Sequence, residues 1–188
     1  MVAKQNTGCN PTACALAKCP DYTGAAASRQ IMDIQQVAKR AKVSTATVSR
    51  VLNGSTNVRE KTSAHVRSVI AEMRLEGGTR AMQQLMSLSP RPSAVITSND
   101  LMAVGALQAA LHGGLRIPAD VSIIGFDDLP IASMVVPQLT SIQLPRREIA
   151  ARAFSSLLQA TRDGIVAKSE VVHPRLIVRN STGPASRP

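Results

Sequence analysis

The sequence predicts an α + α/β chain: a three-helix head of helix-turn-helix type, then part of an α/β unit built on parallel strands. Three observations carry that expectation. Between Asp33 and Met73, apolar residues recur at i, i+3, i+4 and i+7 in successive short segments, the period of helices that each bury one face. Between Ser93 and Phe126, two short apolar runs flank a longer helical pattern, the order of a βαβ unit with parallel strands. The basic excess concentrates on the first region: residues 31–80 hold nine Lys or Arg against four acids, +5 of the chain's formal +10.

Residues 1–31 mix Asn, Pro, Thr, Gly and Ala without helical or strand period and are expected to form a disordered tail. Met32, just before the first patterned segment, is a candidate start of the native product. Cys9, Cys14 and Cys19 follow a C-x4-C-x4-C spacing with no histidine nearby, which supplies only three ligands, so no metal site is expected. Asp33 can cap a first helix, with Gln36 at capping-box distance and Ile34, Val37, Ala38 and Ala41 on one face. Lys42 and Val43 form a short break. Ser44 and Thr47 then open a second helix, Thr45 to Leu52, with Val48, Val51 and Leu52 on its buried side, and Asn53-Gly54 stops it. A third helix, about Arg59 to Met73, buries Val66, Val69, Ile70 and Met73. Residues 32–75 therefore make a head and 76–188 a second region, in which Ser93–Thr97 is a short buried strand, Asp100–His112 a helix and Val121–Phe126 the next strand.

Two short helices joined by a tight turn in a basic segment, backed by a third, have the form of a helix-turn-helix, and the second helix would read the major groove. Burial of Val48, Val51 and Leu52 leaves Thr45, Ala46, Ser49 and Arg50 outward. Arg50 can donate two hydrogen bonds to guanine O6 and N7, while Ser44, Thr47, Ser49 and Asn53 suit phosphate oxygens. A plain helical bundle with a polar face satisfies the same pattern, and a solvated surface the same charge. With Tyr22, Phe126 and Phe154 as the only aromatics, stacking platforms for single strands or RNA are lacking, so double-stranded DNA is the favoured partner.

Length and composition exclude several classes. At 188 residues the chain holds one medium or two small domains, and 44% hydrophobic with 18% charged residues excludes a wholly disordered chain. No apolar run approaches the roughly 20 residues that span a bilayer, so no membrane partner is expected and the product is read as cytoplasmic. His65, His112 and His173 lack a nucleophile or carboxylate at diagnostic spacing, and Gly77-Gly78 and Gly113-Gly114 read as turns, so neither an enzyme nor a cofactor is expected.

The run Asp33-Ile34-Gln35-Gln36-Val37-Ala38-Lys39-Arg40-Ala41-Lys42-Val43-Ser44-Thr45-Ala46-Thr47-Val48-Ser49-Arg50-Val51-Leu52-Asn53-Gly54 closely resembles the DNA-binding head of LacI/GalR-family transcriptional repressors, and Val58, Glu60, Thr62 and Val66 continue the similarity. The resemblance places Thr45, Ala46 and Arg50 at base-reading positions and Ser44, Thr47, Ser49 and Asn53 at backbone-contacting ones. Lys42 departs from the glycine common in that turn, at a cost of about 1 kcal/mol if its φ is positive. Ala46 offers only a methyl where many relatives carry a hydrogen-bonding group.

Ser98–Ala103 and Ile117–Asp128 resemble the family's effector domain, which implies a partial periplasmic-binding-protein-like fold over 76–188; Leu139–Ile142, a helix from about Arg146 to Thr161 and Leu176–Thr182 match its closing segments. By that resemblance Asn99 and Asp127 would bind a small effector, a sugar or nucleobase, beyond the strand ends; each is equally suited to capping or turning. After Met73 the family's hinge and most of a two-lobed ligand domain are absent, which implies an internal truncation. Expected consequences are impaired effector response, uncertain dimerisation, and a closing helix whose Ala150, Phe154, Leu157 and Leu158 have lost their partners. A soluble small-molecule-binding fragment and a non-functional remnant of a repressor gene are the alternatives.

Overall fold

Capping fixes where the head begins. Asp33 has extended backbone and its carboxylate accepts the Gln35 N–H at 3.2 Å, opening α1 (Ile34–Ala41). Ser44 does the same for α2 (Thr45–Leu52), its hydroxyl accepting the Thr47 N–H at 3.2 Å. Between them Lys42 closes α1 in the left-handed region at φ +52°, its N–H donating to the carbonyls of Ala38 and Lys39. The structure, a computed structural model, describes residues 33–164 and 169–185, all within one unit of the chain. The expected tail, its three cysteines and Met32 lie outside the described residues.

Val37, Ala38 and Ala41 of α1 meet Val48 and Val51 of α2 and Val66, Val69 and Ile70 of α3 in one buried cluster. Full burial of each such valine or isoleucine contributes roughly 1.5–3 kcal/mol relative to exposure. Leu52, expected in this core, is 60% exposed. It ends α2 just before the chain turns away at Asn53-Gly54, and it lies outside the buried cluster that holds its neighbour Val51.

The third helix differs most from expectation. It runs from Glu60 to Met86 as a continuous 27-residue α3, past the expected stop at Met73, through the anticipated domain boundary at 75/76 and through Gly77-Gly78, which are helical and not a turn. Its first half completes the head core; its second half packs on α4 (Asp100–His112). The two backbones touch through glycine: a Cβ on Gly78 would lie 2.0 Å from the Met102 carbonyl oxygen, and one on Gly105 2.0 Å from that of Leu75. Thr79 ties the crossing by donating to the carbonyls of Leu75 and Gly105.

β1 (Ala94–Ile96) pairs in parallel with β2 (Ser122–Phe126), with α4 between them in the chain, and β2 pairs in parallel with β3 (Thr140–Gln143). A short helix, α5 (Ile131–Met134), links β2 to β3, and after α6 (Arg146–Asp163) the edge strand β4 (Arg175–Ile177) pairs antiparallel to β3. Leu107, Ala103, Val121, Ile123, Leu139 and Met82 form the second core, on the side carrying α4. The strand near Ser93–Thr97 is not buried as expected: Ile96 is 72% exposed, because β1 is an edge and only one side of it is packed. No described side chain of α6 is buried; Phe154 and Leu157 are 62% and 61% exposed.

Candidate nucleic-acid interface

Three helices position α2. Val48 and Val51, buried against α1 and α3, fix its roll about its own axis. Thr45, Ala46 and Arg50 then lie on the exposed side. Among the described residues Arg50 makes no hydrogen bond or ion pair, so its five guanidinium donors are available. The Ser44 hydroxyl is held by its cap and lies 3.0 Å from the Thr47 hydroxyl; the Asn53 amide reaches the Ser49 hydroxyl at 3.5 Å. All seven sequence-derived positions thus sit on one helix and its two caps. The resulting surface combines a free cation, a methyl and short hydroxyl and amide groups, which can face base edges and phosphates.

A feature the sequence reading passed over adjoins this surface. The turn after α2 and the start of α3 enclose a concavity of about 470 Å³ that includes Gly54, Ser55, Thr56, Arg59 and Arg67. Neither arginine has a partner among the described residues. The only sequence signal for them is the basic excess of residues 31–80.

The candidate effector residues are not brought together. Asn99 caps α4, its Oδ1 accepting the Met102 N–H at 3.0 Å and its amide donating to Ser98. Asp127, at φ +108°, lies at the end of β2 on a concavity of about 560 Å³, which Asn99 does not line. Arg146 from α6 donates to the Asp127 carbonyl and stands 3.9 Å from its carboxylate. Next to it, Asp128 accepts from Arg179 at 2.7 Å and from Gln143 at 2.8 Å. Deeper in, the buried Asp100 carboxylate accepts from the Ser141 hydroxyl and the Leu129 N–H, both at 2.6 Å. These bonds join residues up to 51 positions apart, beyond the reach of local pattern.

A family model described as a periplasmic binding protein-like domain matches residues 19–182. The HTH-type transcriptional repressor PurR of Escherichia coli O1:K1 is 49% identical over 111 residues, covering 56% of this chain and 31% of that protein. The chain belongs to the LacI family. Solved LacI-family structures align with it. A regulatory protein of the family from Chloroflexus aggregans is 36% identical, with 58% of this chain and 40% of that one covered at a TM-score of 0.51. The Lac repressor dimer bound to operator and the anti-inducer ONPF is 31% identical, with 56% and 37% covered at 0.52. The chain spans about a third of the length of the curated LacI-family relatives it matches. Among the described residues no helix is long and apolar enough to cross a membrane.

Proposed function

We propose that the chain is a cytoplasmic LacI-type transcriptional regulator that binds a half-site of double-stranded DNA, with α2 in the major groove and with impaired effector response. The observation that carries this reading is the unpartnered Arg50 on the exposed side of a helix whose other side is locked by Val48 and Val51. Thr45 and Ala46 join it at base edges, and Ser44, Thr47, Ser49 and Asn53, with Arg59 and Arg67, neutralise or bond phosphates. The operator-bound relative uses the same family scaffold. No catalytic step is assigned.

Impairment follows from an internal truncation. α3 runs from the head core into the α4 contact without interruption, leaving no residues for a hinge that would wedge into a minor groove. With one lobe lost, the apolar side of α6 is uncovered among the described residues, and Asn99 does not line the concavity that holds Asp127. A second reading, a small-molecule-binding fragment, draws support from the concavity beside Asp127; equilibrium dialysis against sugars and nucleosides distinguishes it, since that reading alone expects uptake.

The test is fluorescence anisotropy with a randomised duplex library at rising salt. Binding should weaken steeply with salt, as phosphate neutralisation requires. Arg50→Ala should cost the preferred sequences about 1–3 kcal/mol and flatten their ranking. Absence of binding at low salt, or an unchanged ranking in Arg50→Ala, overturns the reading.

A further inference from the structure

We propose that the recess where β1 and β2 begin is a binding site for a small amphipathic monocarboxylate. Its apolar body would lie between the end of α3 and the connection from α4 to β2, and its carboxylate on Arg91. The recess is at the opposite end of these parallel strands from Asp127, and the inference does not depend on DNA binding by the head.

Two stretches of chain converge to build the walls. Met82, Leu85 and Met86 come from the end of α3, and Leu115 and Val121 from the connection between α4 and β2. They line a cavity of about 330 Å³, at the small end of the range for ligand pockets. Met82 is 2% exposed and belongs to the sheet core, so that wall is fixed. Met86 lies against Gly113 at the end of α4, where an added Cβ would come within 2.9 Å of its sulfur. Methionine is unbranched and polarisable, so the pair can adapt to an alkyl chain or a ring. Each methylene that such a ligand withdraws from water tightens binding roughly fourfold.

The rim carries one uncompensated charge. Arg91 stands at the approach to β1 and has no hydrogen bond or ion pair among the described residues. The acid on the same rim, Asp120, is engaged: Arg116 donates to its two oxygens from the backbone N–H, Nε and Nη2 at 2.7, 3.0 and 2.7 Å. A ligand therefore meets a free guanidinium beside a neutralised pair, which suits a single negative charge. A phosphate group brings roughly −1.5 to −2, and the excess would face the Asp120 carboxylate with no cation of its own. The guanidinium fork matches the paired oxygens of a carboxylate, and these charge-assisted bonds are roughly twice as strong as neutral ones. An alcohol of the same length gains only the weaker bond, and an alkylammonium is repelled.

Isothermal titration of the full chain with octanoate, octan-1-ol and octylamine tests this. Octanoate should bind saturably and one to one, roughly tenfold or more tighter than the alcohol, with no binding of the amine. Arg91→Gln should bring octanoate down to the level of the alcohol, while Arg147→Gln, which removes an exposed cation elsewhere, should leave it unchanged. Far-UV circular dichroism should show both variants folded, since both arginines are exposed. Methyl NMR of the parent chain locates the ligand: octanoate should shift the Met82, Met86, Leu115 and Val121 signals. No saturable octanoate binding, equal affinity for octan-1-ol, an equal loss in Arg147→Gln, or shifts confined to Leu157 and Leu158 on the exposed side of α6 overturns the proposal.

Discussion

Lys42 shows how one side chain can be at odds with the backbone it must adopt. It closes α1 at φ +52°, ψ +43°, where a Cβ crowds the following carbonyl, and its N–H is needed there to satisfy two carbonyls of the last turn. Glycine has no such crowding, although it surrenders more freedom on folding. The balance favours the native state: Lys42→Gly should raise the stability of the head by about 0.5–1 kcal/mol, read as a shifted denaturation midpoint at unchanged slope. A fall in midpoint would show that the lysine makes a compensating contact. Asp120 supplies a pH-dependent counterpart at the same scale. Its carboxylate accepts from the Arg116 N–H, Nε and Nη2, and the Arg116 hydrogen bonds hold it down at about 2. A depressed carboxylate stabilises the fold above its unfolded-state range and loses that contribution as pH falls through the folded value. The clamp's share should therefore be present at pH 5 and vanish toward pH 2, and Asp120→Asn should lack that part of the acid titration.

Elements were legible in the sequence where their signals are local. α1, α2 and α4 start and stop at Asp33, Ser44, Asn99 and the expected stop residues, because caps and periodic faces lie within one or two turns. The outward positions on α2 followed from the same geometry. α3 was not legible beyond Met73, because its apolar face changes partner there: Val66, Val69 and Ile70 belong to the head core, Met82 to the sheet core, and the two glycines between them imitate a turn. The ties at Asp100 and Asp128 were invisible for the opposite reason, their partners lying far off in the chain. The glycine pair gives a prediction of opposite signs at adjacent positions. A methyl on Gly77 meets nothing within 4 Å, so Gly77→Ala should stabilise by about 0.5–1 kcal/mol through helix propensity. A methyl on Gly78 meets the Met102 backbone, so Gly78→Ala must push α3 off α4 and should cost about 1–3 kcal/mol. Chemical denaturation of the two variants side by side decides; equal effects would mean that the helices do not cross there.

Across the described residues, the consequence of a shared α3 is that two cores hang on one helix. The head cluster and the sheet cluster have no buried residue in common, and small independent cores of this size are each marginal. Coupling comes from the helical backbone across residues 74–81 and from Arg40 of α1, whose guanidinium bonds both oxygens of Glu76, at 2.6 and 2.5 Å, nearly two turns past Ile70, the last buried residue of the head core. Those hydrogen bonds hold the Glu76 carboxyl below its usual range, but the pair is exposed, so the helix carries the greater share. Fraying α3 in its middle would strip the head of Val69 and Ile70 and the sheet of Met82 together. Head and sheet should therefore unfold in one transition, with hydrogen exchange in α2 and in β2 reporting the same opening free energy. Gly77→Pro removes a helical hydrogen bond at the joint and clashes with the preceding turn. It should split the melt into two steps, with α2 exchanging earlier than β2. Two steps already present in the parent chain would show that α3 does not bind the cores into one cooperative unit.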